Sequence, residues 1–132
     1  MAESKIVDGL RYTKTHEWIN VEGNKGTIGI SDFAQKELGD IVFVEAPAVG
    51  DQVKAGTQMG TVESVKAVSE LNCPASGKVV EVNGDLANSP QFVNEDPMGK
   101  GWIIKIEISN PAELDALMDE AAYQKYVAEH AH

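Results

Sequence analysis

Along most of this chain apolar and polar residues alternate in short runs, the pattern of half-buried β-strands. Glu17-Trp18-Ile19-Asn20-Val21-Glu22 puts Ile19 and Val21 on one face and Trp18 on the other. Gly23-Asn24 supplies turn chemistry, and Thr27-Ile28-Gly29-Ile30 returns as the second strand of a hairpin. Gly26 and Gly29 mark a close backbone approach or a bulge. Residues 5–12 are short and mixed, and suit an edge strand. Ser31 is a suitable cap for a short helix over residues 32–38, with Asp32 in the first turn and Gly39 at the stop. Ile41-Val42-Phe43-Val44-Glu45-Ala46 is nearly all apolar. It predicts a central strand buried on both faces and ended by Pro47.

From Val49 the segments shorten and glycines punctuate them. A brief strand lies within Val49–Gly56. Next comes a hairpin: Thr61-Val62-Glu63-Ser64 as one arm, Ala67-Val68-Ser69-Glu70-Leu71 as the other, and Lys66 at the tip. Lys78–Val82 and Gly101–Ile108 are further strands, the latter with Ile104, Ile106 and Ile108 facing one way. Between them, Asn83–Lys100 is too long to be slack; Leu86, Phe92 and Val93 are its anchors. Asn110-Pro111-Ala112-Glu113 reads as a capped helix start. Leu114, Leu117, Met118 and Ala121 then predict one amphipathic face, with Tyr126 and Val127 continuing it or opening a second short helix. The fold class expected is mainly β: a flattened barrel or sandwich of short strands with a short internal helix. One domain over residues 1–132 is expected, its C-terminal helical segment (111–129) packed on the β core.

Composition narrows the function more than the fold. A net charge of −10 and a pI near 4.6 argue against nucleic acid and against anionic membrane surfaces. They suit protein partners with basic docking patches. The single cysteine, Cys73, excludes an intrachain disulfide and any multi-cysteine metal site. No apolar run approaches the ~20 residues that cross a bilayer. Met1-Ala2-Glu3-Ser4-Lys5 has neither a secretory h-region nor an Arg-rich transit pattern, so a cytoplasmic location is expected, with a mature organellar form as the alternative.

Catalysis by the chain itself finds little support. Of His16, His130 and His132, only His16 lies away from the terminus. There is no nucleophile elbow, Walker loop or dinucleotide fingerprint. Cys73 with His16 would be a nucleophile pair, but no motif surrounds them, and Cys73 beside Pro74 reads as a small packed hydrophobe. Metal binding lacks ligands, and Trp18 reads as packing. A carrier reading fits better. A lysine at a tight turn is reachable by a modifying enzyme, and amide formation there gives a long neutral arm, as in lipoamide or biotin carriers. The residues alone do not decide it, since Lys66 is one of 11 Lys and Arg residues, most of them simple surface charges.

Three blocks, Gly50-Asp51-x-Val53-x-x-Gly56, Val62-Glu63-Ser64-x-Lys66-Ala67 and Pro74-x-x-Gly77-x-Val79-x-Glu81-Val82, resemble the lipoyl/biotinyl-carrier pattern. Val65 and Ala67 flank the lysine where biotinyl domains carry Met, which is closer to lipoyl domains. His16-Glu17-Trp18, the Gly29–Asp32 and Leu38–Glu45 block, and Gly101-Trp102-Ile103-Ile104-Lys105-Ile106 resemble the H proteins of the glycine cleavage system, a likeness running from about Asp8 to the C-terminal helix.

The resemblance implies lipoic acid in amide linkage on Lys66, put there by lipoyl-attaching enzymes. It implies three further partners. A pyridoxal-phosphate glycine decarboxylase loads an aminomethyl group, a tetrahydrofolate-dependent aminomethyltransferase takes the one-carbon unit, and a flavin (FAD) dihydrolipoamide dehydrogenase reoxidises the dithiol. The protein is then a carrier, not an enzyme. The family's cleft for the loaded arm maps to Thr15, Glu17 and Glu70, whose carboxylates suit a protonated amine. Relatives often have Ser and Asp where this chain has Thr15 and Glu70, and Glu70 is one methylene longer. The alternatives are a lipoate relay to 2-oxoacid dehydrogenase domains and an unmodified β-structured interaction module.

Overall fold

The computed structural model describes residues 9–130. Among the described residues, nine strands form two antiparallel sheets. The strands are β1 (Gly9–Tyr12), β2 (Glu17–Glu22), β3 (Lys25–Ile30), β4 (Ile41–Glu45), β5 (Gln52–Val53), β6 (Gln58–Ser64), β7 (Val68–Asn72), β8 (Gly77–Val82) and β9 (Ile104–Ile108). The larger sheet runs β1-β2-β3-β9-β8-β5 and the smaller β4-β6-β7. Helices α1 (Asp32–Leu38), α2 (Phe92–Glu95) and α3 (Glu120–His130) lie between and after the strands.

The alternation read from the sequence builds the core. Ile19, Val21, Ile28, Ile104 and Ile106 of the larger sheet and Ile41, Val62 and Leu71 of the smaller one belong to one buried cluster. Such side chains each contribute about 1.5–3 kcal/mol when taken out of water. The opposite face of β2 carries Trp18, which packs with Tyr12 and Tyr123 in a second cluster. The Tyr12 and Tyr123 rings stack 4.1 Å apart, so α3 covers that face. Trp18 donates from Nε1 to the Pro97 carbonyl at 3.1 Å, confirming it as packing. Its indole lies over Gly29, where a Cβ would meet the ring at 2.8 Å; Gly29 is the close approach expected of it.

Several elements match expectation. Ser31 caps α1, its hydroxyl accepting the Ala34 N–H at 3.1 Å. The long connection is packed on itself: Gly84–Ala87 is a 3-10 turn, α2 follows, and Leu86 and Val93 are buried.

Two expectations are corrected. Ile41–Ala46 is not a central strand buried on both faces. β4 stops at Glu45, forms the edge of the smaller sheet, and leaves Val42 50 % and Phe43 49 % exposed. The cause is a bulge between Ile41 and Phe43, which breaks the alternation so that neither apolar neighbour is buried. The C-terminal segment is not one helix either. Pro111–Ala116 is a 3-10 turn, Met118 pairs with Tyr12 as an isolated bridge, and α3 starts only at Glu120. Leu114 is buried in the main core while Met118 packs in the second cluster, so the apolar positions serve two cores, not one helical face. Asn110 makes no side-chain cap. Glu113, read as its capping partner, instead accepts from the Ser76 N–H (2.8 Å) and hydroxyl (2.9 Å) and ties this turn to the sandwich.

Candidate functional site

Lys66 lies exposed between β6 and β7, on a turn closed by the Ser64 N–H donating to the Ala67 carbonyl at 2.8 Å. The Ser64 hydroxyl accepts the Lys66 (3.3 Å) and Ala67 (3.1 Å) N–H groups, so one side chain satisfies the turn's inward amides. Val65 donates its N–H to the Asp40 carbonyl at 3.0 Å, which fastens the tip to the loop after α1. That loop is braced by Asn94 of α2. Its Oδ1 accepts the Ile41 N–H, and its Nδ2 donates to the Gly39 carbonyl and to Gln35 Oε1. A fixed backbone therefore holds up a free side chain. Among the described residues no carboxylate pairs with the Lys66 ammonium. Val65 and Val68 beside it are 69 % and 67 % exposed.

The second part of the site is the corner between β1 and β2. Here the chain reverses through His16, whose φ of 74° is unusual for a side-chain-bearing residue and costs about 1–2 kcal/mol. Backbone and side-chain contacts hold it. Its N–H donates to the Thr13 carbonyl (3.2 Å), its carbonyl accepts the Ser31 N–H (2.9 Å), Nδ1 meets the Tyr123 hydroxyl (2.8 Å), and the ring packs on Phe33. The Tyr123 hydroxyl also bonds to Ser31 Oγ at 2.7 Å, joining α3, the α1 cap and this corner.

The reversal turns Glu17 inward. Its side chain is 1 % exposed, yet its carboxylate is well served. Oε1 accepts from the hydroxyls of Thr13 (2.6 Å) and Thr15, and Oε2 accepts the Asn72 N–H at 3.0 Å from the end of β7. Burial raises the Glu17 pKa, and these three donors pull part of that rise back. A groove of about 460 Å3 runs past the corner, lined by Thr13, Thr15, Asn72, Cys73 and Leu117 among others. It falls in the size range of small-molecule sites. All three Glu17 donors, Thr13, Thr15 and Asn72, line it.

The structure thus joins Thr15 to Glu17. Glu70 stays exposed on β7, paired in register with Thr61 and two residues before Asn72, and no hydrogen bond joins it to Glu17 or Thr15 among the described residues. His16 bonds to Tyr123, not to Cys73. Cys73 is 1 % exposed with its thiol donating to the Ala75 carbonyl, and burial, reinforced by the charges of Glu17 and Glu113, pushes its pKa up to about 11. A thiol so protonated is a poor nucleophile. Sequence reasoning missed Thr13, Asn72 and Asn94. The Thr13-x-Thr15 spacing beside Glu17 was a signal for the first; for the two asparagines, distant in sequence from what they hold, there was none.

The class seen here is a sandwich of short antiparallel strands with an exposed lysine at a hairpin tip. Comparison with known proteins fixes the family. The model of the glycine cleavage H-protein family matches residues 10–130. The glycine cleavage system H protein of Carboxydothermus hydrogenoformans is 60 % identical over 126 residues, covering 96 % of this chain and 97 % of that one. The H protein of Symbiobacterium thermophilum is 62 % identical over 120 residues, covering 91 % and 94 %. The crystal structure of a glycine cleavage system H protein from Mycobacterium marinum superposes with a TM-score of 0.81 at 36 % identity, covering 96 % of this chain and all of that one. The chain belongs to the glycine cleavage H-protein family, carrier components of a multienzyme system.

Proposed function

We propose that Lys66 bears a lipoyl group in amide linkage and that the protein carries the aminomethyl group of glycine from a pyridoxal-phosphate decarboxylase to a tetrahydrofolate-dependent aminomethyltransferase. Its electrons then pass to an FAD-containing dihydrolipoamide dehydrogenase. The observation that carries this reading is the exposed Lys66 on a turn that Ser64 and Asp40 hold rigid. The residues fit the group: the lysine has no competing ion pair among those described, and only small or apolar residues adjoin it. When bound, the dithiolane supplies a sulfur that takes up the one-carbon unit and a two-electron couple that returns it to the oxidised form.

The chain's own residues then present and shelter. The braced tip fixes where the arm starts and leaves it free to reach separate active sites. Glu17 and Thr15 are the contact residues for a protonated amine. A buried carboxylate offers it a charge-assisted hydrogen bond stronger than any in water, because the medium around it is poorly polarisable. The groove beside them keeps bulk water from the carried group. Glu70, exposed further up β7, is proposed as a mobile second carboxylate at the mouth of that cleft.

The test is glycine–carbon dioxide exchange reconstituted with the decarboxylase and lipoylated carrier. Wild-type protein should support exchange and Lys66→Arg should not. Exchange retained by the arginine variant would refute the arm.

A further inference from the structure

The hydrogens of the Glu17 corner can be counted one by one, and the count separates two threonines that the sequence treats alike. Thr13 has one hydroxyl proton and two acceptor positions. The proton goes to Glu17 Oε1 at 2.6 Å, and the oxygen accepts the N–H groups of Thr15 (3.2 Å) and Glu17 (3.1 Å). Thr13 is therefore saturated. Thr15 also gives its proton to Glu17 Oε1, but its exposed oxygen accepts no N–H among the described residues. The contact between the two hydroxyl oxygens at 3.1 Å then lacks a proton, since both protons face the carboxylate. A carboxylate has about four acceptor positions; two donors occupy Oε1 and the Asn72 N–H occupies one on Oε2. Oε2, the less occupied oxygen, and the oxygen of Thr15 are left for an incoming cation.

We propose that Thr13 is a positioning residue of this site: its hydroxyl fixes the Glu17 carboxylate so that Oε2 meets the amine, while Thr13 has no donor or acceptor position left for the ligand. The inference rests on the proposed role of Glu17 toward a carried amine. Thr13 reaches the carboxylate from the same turn that reverses at His16, so the side chain and the backbone that aim Glu17 are locked by one group. Cys73 and Tyr123 are titratable groups that feel the Glu17 charge. Both are neutral at pH 7, and Glu113 acts in turn on Cys73.

The experiment uses the full-length lipoylated protein, loaded with the aminomethyl group, and follows decay of the load. Loss of a hydrogen bond to a charged group should shorten the half-life about tenfold in Thr13→Val. Thr13→Ser should restore it to within about twofold of wild type, because the hydroxyl returns. The double variant Thr13→Val with Glu17→Gln should decay no faster than Glu17→Gln alone, since Thr13 acts through the carboxylate.

A second readout needs no load. In carboxyl-detected NMR of the unmodified protein, the Glu17 titration midpoint should rise in Thr13→Val and return in Thr13→Ser, because the lost donor favoured the ionised form. Should Thr13→Val fail to fold, Thr13→Ala takes its place in both measurements. An unchanged half-life and midpoint in the valine variant, with decay hastened in Glu17→Gln, would overturn the role of Thr13 alone. An unchanged half-life in Glu17→Gln would overturn the reading of Glu17, and this inference with it.

Discussion

Lys66 stands exposed on a turn held by the Ser64 hydroxyl and the Asp40 carbonyl, whereas Glu17 lies 1 % exposed under two threonine hydroxyls and a strand amide. In the first region the backbone is fixed and the side chain proposed to bear the lipoyl group is free. In the second, a strained backbone and several donors fix the side chain itself. A group that must be reached by several enzymes needs the first construction. A group that must meet a small cation in one orientation needs the second. Both draw on the same braces: α1 and its flanking loop fasten the tip through Asp40 and the corner through Ser31.

The contrast is sharpest at Lys66 and Glu17, the two side chains proposed to carry the function. Lys66→Arg should abolish lipoylation and exchange while leaving the thermal unfolding midpoint within error of wild type, since the side chain supports nothing. A large loss of stability would show that the tip is structural. Glu17→Ala should do the reverse damage, costing about 2 kcal/mol because the Asn72 N–H and two hydroxyls lose their acceptor. Urea unfolding measures it, and an unchanged midpoint would mean that water replaces the carboxylate without cost.

The same carboxylate predicts a pH dependence. Its pKa in the folded protein is raised above the ordinary value of 4.5, burial being the cause. The folded state then binds more protons than the unfolded one above that pH. Its contribution is therefore largest in acid and declines as pH rises through the folded pKa. Glu17→Gln should flatten this part of the stability profile, and an identical slope in the variant would contradict the assignment.

Ser64→Ala is a milder test of the tip. It removes the acceptor for two turn amides, at a cost of about 1 kcal/mol, and should slow modification of Lys66 a few-fold through a looser presentation. Unchanged modification kinetics would show that the Asp40 contact suffices. Cys73→Ser should have the smallest effect, leaving exchange nearly intact. A large loss would restore a role to the thiol.

How much of this was legible in the sequence follows the range of the forces involved. Alternation fixed β2, β3 and β9 because Ile19, Val21, Ile104 and Ile106 face one core with period two. The α1 cap at Ser31 and the Lys66 turn are local, and were read correctly. The bulge at Val42 was not legible, since nothing in an apolar run says which residue loses its strand partner. The broken C-terminal segment misled for a related reason. Helical spacing of Leu114, Leu117 and Met118 is also what two short pieces serving two clusters produce. At the site, Lys66 and Glu17 came from the family motif. The Thr13 clamp and the Asn94 brace join residues whose relation exists only once the strands are paired.

The measurement that bears most directly on the central claim is intact mass followed by peptide mapping of protein produced in cells supplied with lipoate and a competent ligase. One lipoyl group on Lys66, and on no other lysine, is the expected result. A biotinyl mass, a lipoyl group elsewhere, or an unmodified Lys66 would contradict it.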